Sequence, residues 1–588
     1  MAVENLITEH IDIWTSAVKT KSASGRGSSK KLELYGIKKL RELILELAIR
    51  GKLVPQDPSD EPASVLLERI AAEKAQLVRE KKTKKSKNLP PIIGEEPFAL
   101  PKGWEFIRWG DMAYWAIGSG FPKSAQGQRG NSILFSKVSD MNLPGNEKYI
   151  KTTANTISEE AALNIKAKLH PKGTVIFPKI GGAIATNKRR ILTRSSAIDN
   201  NCLGLIPSVG ITTDYLYLIL NSADLVAYQA GTSVPALSQS TLELIVAALP
   251  PLSEQRRIVA KVDELMALCD QLEQQTEASI EAHQVLVTTL LDTLTNSADA
   301  DELMQNWAKI SEHFDTLFTT EESIDQLKQT ILQLAVMGKL VPQDPSDEPA
   351  AELLKRIAEE KAQLVKEKKI KKEKALPPIA EDEKPFELPN GWEWCRLEDV
   401  VDIQSGITKG RKLAGRELKT IPYLSVANVQ RGYLILNNVK EIDLPIDELE
   451  KYSVEDGDLL ITEGGDWDKV GRTAIWRSEV PYMAHQNHVF KARPFLKEQS
   501  EAWLEMYLNG PFARKYFAGS SKQTTNLASI NKTQLRSCLI AVPPRDEKKE
   551  ISDRVQELIG MCDLLLEGIR ASLQTQLQLT DVIVDQAV

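Results

Sequence analysis

GKLVPQDPSDEPA stands at residues 51–63 and returns at residues 338–350 without a single substitution. The match extends on both sides: residues 47–92 and 334–379 agree at 36 of 46 positions, so the chain carries an internal duplication. A second pair follows, ALPPLSEQRRIVAKVDELMALCDQL from Ala248 and AVPPRDEKKEISDRVQELIGMCDLL from Ala541. Between the duplicated parts lie two stretches, about 99–247 and 387–540, that hardly resemble each other.

The duplicated parts have helical spacing. Ile258, Val262, Leu265, Cys269, Leu272 and Thr276 alternate steps of four and three, and Ile551, Val555, Leu558, Cys562, Leu565 and Ile569 repeat the pattern. Such stripes predict long helices that seek a partner helix. Upstream, Ile37, Leu40, Ile44 and Leu47 stop at Gly51, as Ile324, Leu327, Ile331 and Leu334 stop at Gly338. Glycine just past a helix end takes the left-handed conformation at little cost. The Pro-Gln-Asp-Pro-Ser segment then breaks the chain. Asp60 or Ser59 is expected to cap the next helix with Pro62 in its first turn, and Asp347 or Ser346 to do the same with Pro349. The opening motif is thus predicted to be a helix-turn-helix corner used twice. Each second helix runs into a basic stretch, EKKTKKSK at 80–87 and EKKIKKEK at 367–374, and then Leu-Pro-Pro. A solvated helix end and a phosphate-facing or partner-facing arm both fit these stretches.

The unlike stretches have a different texture. Short β-type runs, TVIFP at 174–178, LLIT at 459–462 and HVFK at 488–491, are separated by Gly, Asn and Asp turns. Their openings are nearly the same, FALPKGWEF from Phe98 and FELPNGWEW from Phe386. Each is expected to be a compact α+β domain of about 150 residues. The predicted organisation is an N-terminal helical region with its corner and basic helix end (1–98), a first domain (99–250), a central helical region (251–385), a second domain (386–543) and a C-terminal helix (544–588).

At 588 residues the chain exceeds what one core supports. Hydrophobic residues at 42% and charged residues at 26% describe a soluble globular protein, and no apolar run approaches the ~20 residues of a membrane helix. The start, MAVENLITEHIDIW, lacks the basic, apolar, small-residue order of a signal peptide, so a cytoplasmic location is expected. The five cysteines, Cys202, Cys269, Cys395, Cys538 and Cys562, are far apart with no CxxC, which predicts reduced thiols and no zinc knuckle. Cys269 and Cys562 fall on the apolar stripes and are expected to be buried.

Catalytic signatures are missing: there is no GxxxxGK[ST], no strand-linked GxGxxG and no HExxH. The double prolines at 90, 250, 377 and 543 follow Leu or Val and lack the polar residue with which an amino-methyltransferase holds its target amine. His485 and His488 have no carboxylate or third His at ligand spacing, which favours a structural or recognition role over a metal. Catalysis by this chain alone is not expected.

The net charge of −7 means that any polyanion must be met locally. Residues 101–250 hold 15 Lys plus Arg against 10 Asp plus Glu, whereas residues 387–544 hold 20 against 21, so only the first domain is basic overall. Within both, basic residues cluster with amides and glycines, in FPKSAQGQRGN at 121–131, PKIGGAIATNKRR at 178–190, TKGRKLAGR at 408–416 and TEGGDWDKVGR at 462–472. Lys and Arg suit phosphates and guanine edges, and Asn and Gln suit adenine edges. The base-reading candidates are Lys123, Gln126, Gln128, Arg129, Lys179, Asn187, Lys188, Arg189 and Arg190 in the first domain. In the second they are Lys409, Arg411, Lys412, Asn428, Gln430, Arg431, Lys469, Arg472, Gln486 and Asn487. SVPALSQS at 233–240 and KQTTNLAS at 522–529 are candidates for a further contact loop, and KTKSASGRGSSKK at 19–31 reads as a linker or as an arm facing DNA or a partner.

The paired GKLVPQDPSDEPA stretches, the paired F-x-L-P-x-G-W openings and PPLSEQRRIVAKVDEL at 250–265, echoed by PPRDEKKEISDRVQEL at 543–558, resemble the specificity subunit of type I restriction-modification systems, in its variety with a long N-terminal region. The resemblance covers essentially the whole chain. It implies two target-recognition domains, each reading one half of a split site on double-stranded DNA, joined by helices in an antiparallel coiled coil with pseudo-twofold symmetry. It also implies two modification subunits that methylate adenine with S-adenosylmethionine, and two restriction subunits that use ATP and Mg; this chain itself needs no cofactor. A coiled-coil adaptor with protein-binding inserts is the alternative, and it leaves the basic, amide-rich loops without purpose.

Overall fold

The computed structural model describes residues 3–21, 31–80, 89–231, 234–465, 469–524 and 527–588. Residues 22–30 of the Lys-Ser-Gly stretch, 81–87 of the first basic stretch, Ser233, residues 466–468 and residues 525–526 lie outside them. The chain forms two compact units, residues 1–279 with 572–588, and residues 280–571.

Six helices make the frame: α1 (Tyr35–Ile49), α2 (Ala63–Arg79), α3 (Leu252–Thr295), α4 (Glu321–Val336), α5 (Ala350–Lys366) and α6 (Arg545–Ala587). Each unit takes the first part of one long helix and the last part of the other. In the first unit the stripe Ile37, Leu40, Ile44 and Leu47 of α1 is buried, as are Ile258, Val262, Leu265, Cys269 and Leu272 of α3. Arg41 in α1 donates to Asp270 and Glu273 of α3, both at 2.6 Å, while Gln56, past the end of α1, reaches Glu254 at the start of α3 at 3.2 Å. These two helices therefore run antiparallel. The tail of α6 runs parallel to α1, because Tyr35 donates to Asp581 at 2.6 Å and Lys52 donates to the carbonyl of Val588. Within this unit α3 and α6 are thus antiparallel, with α1 tied to both.

The second unit repeats the arrangement with the long helices exchanged. Lys328 of α4 donates to Asp563 at 2.5 Å and Arg570 to Glu321 at 3.0 Å, so α4 and α6 are antiparallel. Gln284 of α3 donates to Glu322 at 2.6 Å, and Lys339 donates to the carbonyl of Thr295 at 3.0 Å, so α4 and the end of α3 are parallel. Val287, Leu291 and Leu294 share one core with Ile324, Leu327, Ile331 and Leu334 and with Ile551, Val555, Cys562 and Leu566. Leu558 and Ile569 pack against it, but Leu565 is exposed and Leu566 takes its place. A straight α-helix drifts away from a strict seven-residue repeat, so the buried stripe moves by one residue after about three turns.

The repeated corner folds alike in both copies. Gly51 and Gly338 have φ of +68° and +67°, and a Cβ at either would lie 2.5 Å from a proline Cγ, of Pro101 or Pro389. Glu254 accepts from Trp104 Nε1 at 3.0 Å and from Gln56; Glu547 accepts from Trp392 Nε1 at 2.9 Å and from Gln343 at 3.3 Å. One detail departs from the expected capping. Helices α2 and α5 start after Pro62 and Pro349 with no side-chain cap, because Ser59 and Ser346 turn back onto Asp57 and Asp344 at 2.8 Å and Asp60 pairs with Arg257 at 2.6 Å. Position 257 is matched by Glu550 in the second copy, so that ion pair belongs to the first copy. The second basic stretch does not continue its helix: α5 ends at Lys366, Lys368 has φ of +60°, and Glu373 pairs with Lys532 at 2.7 Å.

The first insert contains β1 (Glu105–Arg108), β2 (Ala113–Ile117), β3 (Ile133–Ser136), β4 (Tyr149–Ile150), β5 (Asn155–Ile157), β6 (Leu169–His170), β7 (Val175–Pro178), β8 (Arg190–Leu192), β9 (Ser196–Ile198), β10 (Cys202–Pro207) and β11 (Val246–Leu249). They form sheets β2-β10-β7-β8-β4 and β5-β3-β9-β6, and β1 pairs with β11. The second contains β12 (Glu393–Arg396), β13 (Val401–Ser405), β14 (Leu418–Leu424), β15 (Lys440–Pro445), β16 (Leu459–Thr462), β17 (Thr473–Ile475), β18 (Ala484–His485), β19 (Val489–Pro494) and β20 (Leu539–Val542). Its sheets are β13-β19-β16-β17 and β15-β14-β18, and β12 pairs with β20. The strand order is shared, including the parallel pairs β3 with β9 and β14 with β18. Alternation along a strand assigns its faces: Leu134 joins one core while Ile133 and Phe135 join another, as Leu424 and Tyr423 do in the second insert.

Two buried arginines close the mouths of the inserts. Arg108 donates to the carbonyls of Pro90 at 2.8 Å and Leu244 at 2.6 Å and pairs with Glu95; Arg396 donates to the carbonyls of Pro377 at 3.2 Å and Ser537 at 3.1 Å and pairs with Glu383. Incoming and outgoing chain are thereby held together at the mouth of each insert.

The seam through α6 predicts a sharp contrast between neighbours. Leu566→Ala should lower stability by about 2–5 kcal/mol, as buried leucine truncations do. Leu565→Ala should stay within about 0.5 kcal/mol of the parent. Urea midpoints of the two variants check this.

Candidate nucleic-acid interface

Four segments of each insert meet along one edge, joined by main-chain hydrogen bonds. In the first insert the loop after β2 binds the turn after β9 through Ser119 N to Ile198 O at 2.8 Å. That turn binds the end of β7 through Lys179 N to Asn201 O at 2.8 Å. Lys179 in turn accepts from Leu237 N at 2.9 Å, and Gly181 N donates to Pro235 O at 2.7 Å. In the second insert Ile407 N donates to His485 O at 2.8 Å, Glu463 N to His488 O at 2.9 Å and Ile530 N to Glu463 O at 2.9 Å. The two chains of contacts match step for step. Gly118 and Gly406 permit the first step, since a Cβ would lie 1.9 Å from Asp199 O in one and 2.2 Å from His485 O in the other. The segments 233–240 and 522–529 thus border the same edges, through Ala236–Leu237 and Leu527–Ser529.

This edge gathers many of the candidates. Lys123, Gln126, Gln128 and Arg129 are exposed on the loop after β2, where Gln126 accepts from Lys137 at 2.9 Å. Lys179 is half-buried at the centre. In the second insert Lys409 and Lys412 are exposed on the equivalent loop, with the Lys409 ammonium 5.0 Å from the Tyr423 ring centroid. Gln486 and Asn487 lie on the turn after β18. Gln430 and Arg472 join at 2.6 Å, and Arg431 and Lys469 are half-buried close by in the chain.

Other candidates are committed to the fold itself. Arg189 is buried and donates to Leu220 O at 3.0 Å and to Asn187 Oδ1 at 2.7 Å, above the Phe177 ring; burial pulls its guanidinium down to about 10. Arg190 donates to the carbonyls of Arg189 at 2.7 Å and Met141 at 2.8 Å. Lys188 is bonded to Asn142, and Asn187 takes a left-handed turn with φ of +50°. Asn428 is buried and closes a turn by accepting from Ser425 N at 2.9 Å and donating to Ile435 O at 2.9 Å. Arg411 pairs with Glu448 at 2.7 Å. A run of basic and amide letters does not distinguish side chains that face water from side chains that tie loops down.

Sequence reasoning missed three groups. Asn200 and Asn201 are exposed at the centre of the first edge, in the place that Asn487 and His488 hold in the second. Glu463 accepts from His488 Nδ1 at 2.5 Å. Arg108 and Arg396, at the mouths, had a legible signal: each follows its opening phenylalanine by ten residues. His485, by contrast, is buried, shares a hydrogen bond with Val489 O at 2.7 Å, and is pushed by desolvation down to about 4, so it is a neutral core residue at pH 7. Among the described residues no cluster of His, Cys, Asp and Glu could hold a metal, all five cysteines are buried, and no helix is long and apolar enough to cross a membrane.

The family described as type I restriction modification DNA specificity domain matches residues 101–282 and 389–575, each an insert with the greater part of the long helix that follows it. Over the full length of both chains, the sequence is 42% identical to the type I restriction enzyme EcoAI specificity subunit and 41% identical to the EcoEI specificity subunit, both of Escherichia coli. A solved HsdS subunit from Thermoanaerobacter tengcongensis, 18% identical, aligns over 84% of this chain and 99% of its own with a TM-score of 0.39. With two such domains in tandem and relatives matched from end to end, the chain belongs to the type I restriction-modification specificity subunits, the DNA target-recognition chains of those systems.

Proposed function

We propose that the two edges read the two halves of one bipartite, asymmetric site on double-stranded DNA, and that α3 and α6 fix the distance between the halves. The observation that carries this reading is the same hydrogen-bonded four-segment edge built twice with different side chains. A site reader needs a constant backbone platform and variable groups aimed at base edges. Exposed Lys123, Arg129, Lys409 and Lys412 then meet phosphates, and Gln128, Asn200, Asn201, Gln486 and Asn487 are the polar groups nearest the bases. The duplicated frame offers equivalent surfaces to two copies of a modification subunit, as an internal twofold requires. Adenine methylation with S-adenosylmethionine and ATP- and Mg-dependent translocation and cleavage belong to modification and restriction subunits, two of each, in the cytoplasm. This chain supplies recognition and no catalysis. The adaptor reading gives the paired polar edges no ligand.

Two measurements follow. Binding of the chain with its modification subunits to duplex DNA should weaken with salt, and Lys123→Ala or Lys412→Ala should weaken all sequences alike and lower the log-log salt slope by about 1. Seven residues inserted in α3 between Thr276 and Ser279, with seven matched in α6, lengthen the helices by about 10 Å. The preferred spacer should then grow by about three base pairs; sequencing of methylated adenines reads it, and an unchanged spacer contradicts the helical spacing.

A further inference from the structure

The two edges carry opposite charge at one equivalent position. Lys179 and Glu463 are matched by their main chains: each amide donates to the turn after the neighbouring strand, at Asn201 O and His488 O, and each carbonyl accepts from the returning segment, from Leu237 N and Ile530 N. One therefore presents a hydrogen-bond donor where the other presents an acceptor. The Glu463 side chain is 28% exposed and lines a shallow pocket of about 360 Å³ with Ser425, Ala427, Gln486, His488 and Ser529. His488 Nδ1 at 2.5 Å from Oε2 steadies one carboxylate oxygen and leaves the other available. A carboxylate that faces a polyanion is repelled unless it takes a hydrogen bond from it. In the major groove the donors are the exocyclic amines of cytosine and adenine, and carboxylates pair with cytosine N4, while lysine pairs with guanine O6 and N7.

From this geometry we infer that Lys179 and Glu463 are specificity-determining residues that read a base pair at the same place in each half-site with opposite polarity, Lys179 from guanine and Glu463 from cytosine. The inference rests on the DNA-reading function proposed above. The other reading of Glu463 is a local lock for the turn after β18, and Glu463→Gln separates the two because glutamine keeps an acceptor for His488.

The test uses the complex of this chain with its modification subunits and a duplex library in which every base pair of the preferred site is varied. Glu463→Gln should reduce discrimination at one base pair of the second half-site by roughly 5- to 150-fold, leaving the first half-site and the salt slope unchanged. Glu463→Lys should move that preference from cytosine to guanine. Lys179→Met should relax one guanine-bearing position of the first half-site, an arm independent of how variants at Glu463 fold. Wild-type selectivity at every position in Glu463→Gln and Lys179→Met, or equal weakening on all sequences, overturns the inference while the bipartite reading stands. A wild-type complex with no bipartite preference overturns both.

Discussion

Glu254 and Glu547 sit in the first turn of the two long helices, out of water, and the frame is organised around how those carboxylates are satisfied. Burial pushes both above the usual carboxylate range, and hydrogen bonds from an indole N–H and a glutamine amide oppose the shift. A buried carboxylate without such donors is strongly unfavourable. The donors come from separate places: Trp104 and Trp392 from the insert openings, Gln56 and Gln343 from the repeated corner. One hydrogen-bonded point thereby joins the corner, the mouth of the insert and the start of the long helix. Gly51 and Gly338 are glycines because the same tryptophan and a proline press against them. The identity of the thirteen-residue repeat has a physical basis at these positions.

Divergence of the inserts on a constant frame follows from their closure. Paired first and last strands, with Arg108 or Arg396 holding the chain on both sides of the mouth, fix where each insert leaves and rejoins the frame. Strand order is retained while sequence is lost, since alternation of apolar residues across two sheets sustains the core with many sequences. Lys179 and Glu463 are held in these edges by main-chain bonds and neither side chain is buried, so the charge there can invert without moving the backbone. The overall acidity of the chain and the local basicity of its loops are compatible for the same reason.

Much of the frame was legible in the sequence. Heptad spacing located α3 and α6, and glycines marked the ends of α1 and α4. Period alone could not fix the seam beyond three turns, hence Leu566 in place of Leu565. It also could not reveal that α1 and α4 are tied to the long helices, a tertiary fact. An earlier echo, ITEHIDIW at 7–14 against ISEHFDTL at 310–317, agrees at only four of eight positions, yet His10 and His313 both precede short helices. In the inserts, composition marked loops but did not separate side chains that face water from those that tie loops down. Arg189 and Asn428 have the letters of base readers and the surroundings of structural clasps, whereas Asn200 and Asn201 stand in a three-letter turn too short to register as a cluster.

The claim that matters most is that the matched edges face bases. A photoreactive amino acid placed at Asn200 or at Asn487, in the complex of this chain with its modification subunits on its preferred duplex, reports this directly. Cross-links from position 200 to bases of one half-site and from position 487 to bases of the other are the predicted result. Cross-links only to protein, or from both positions to the same half-site, would contradict it.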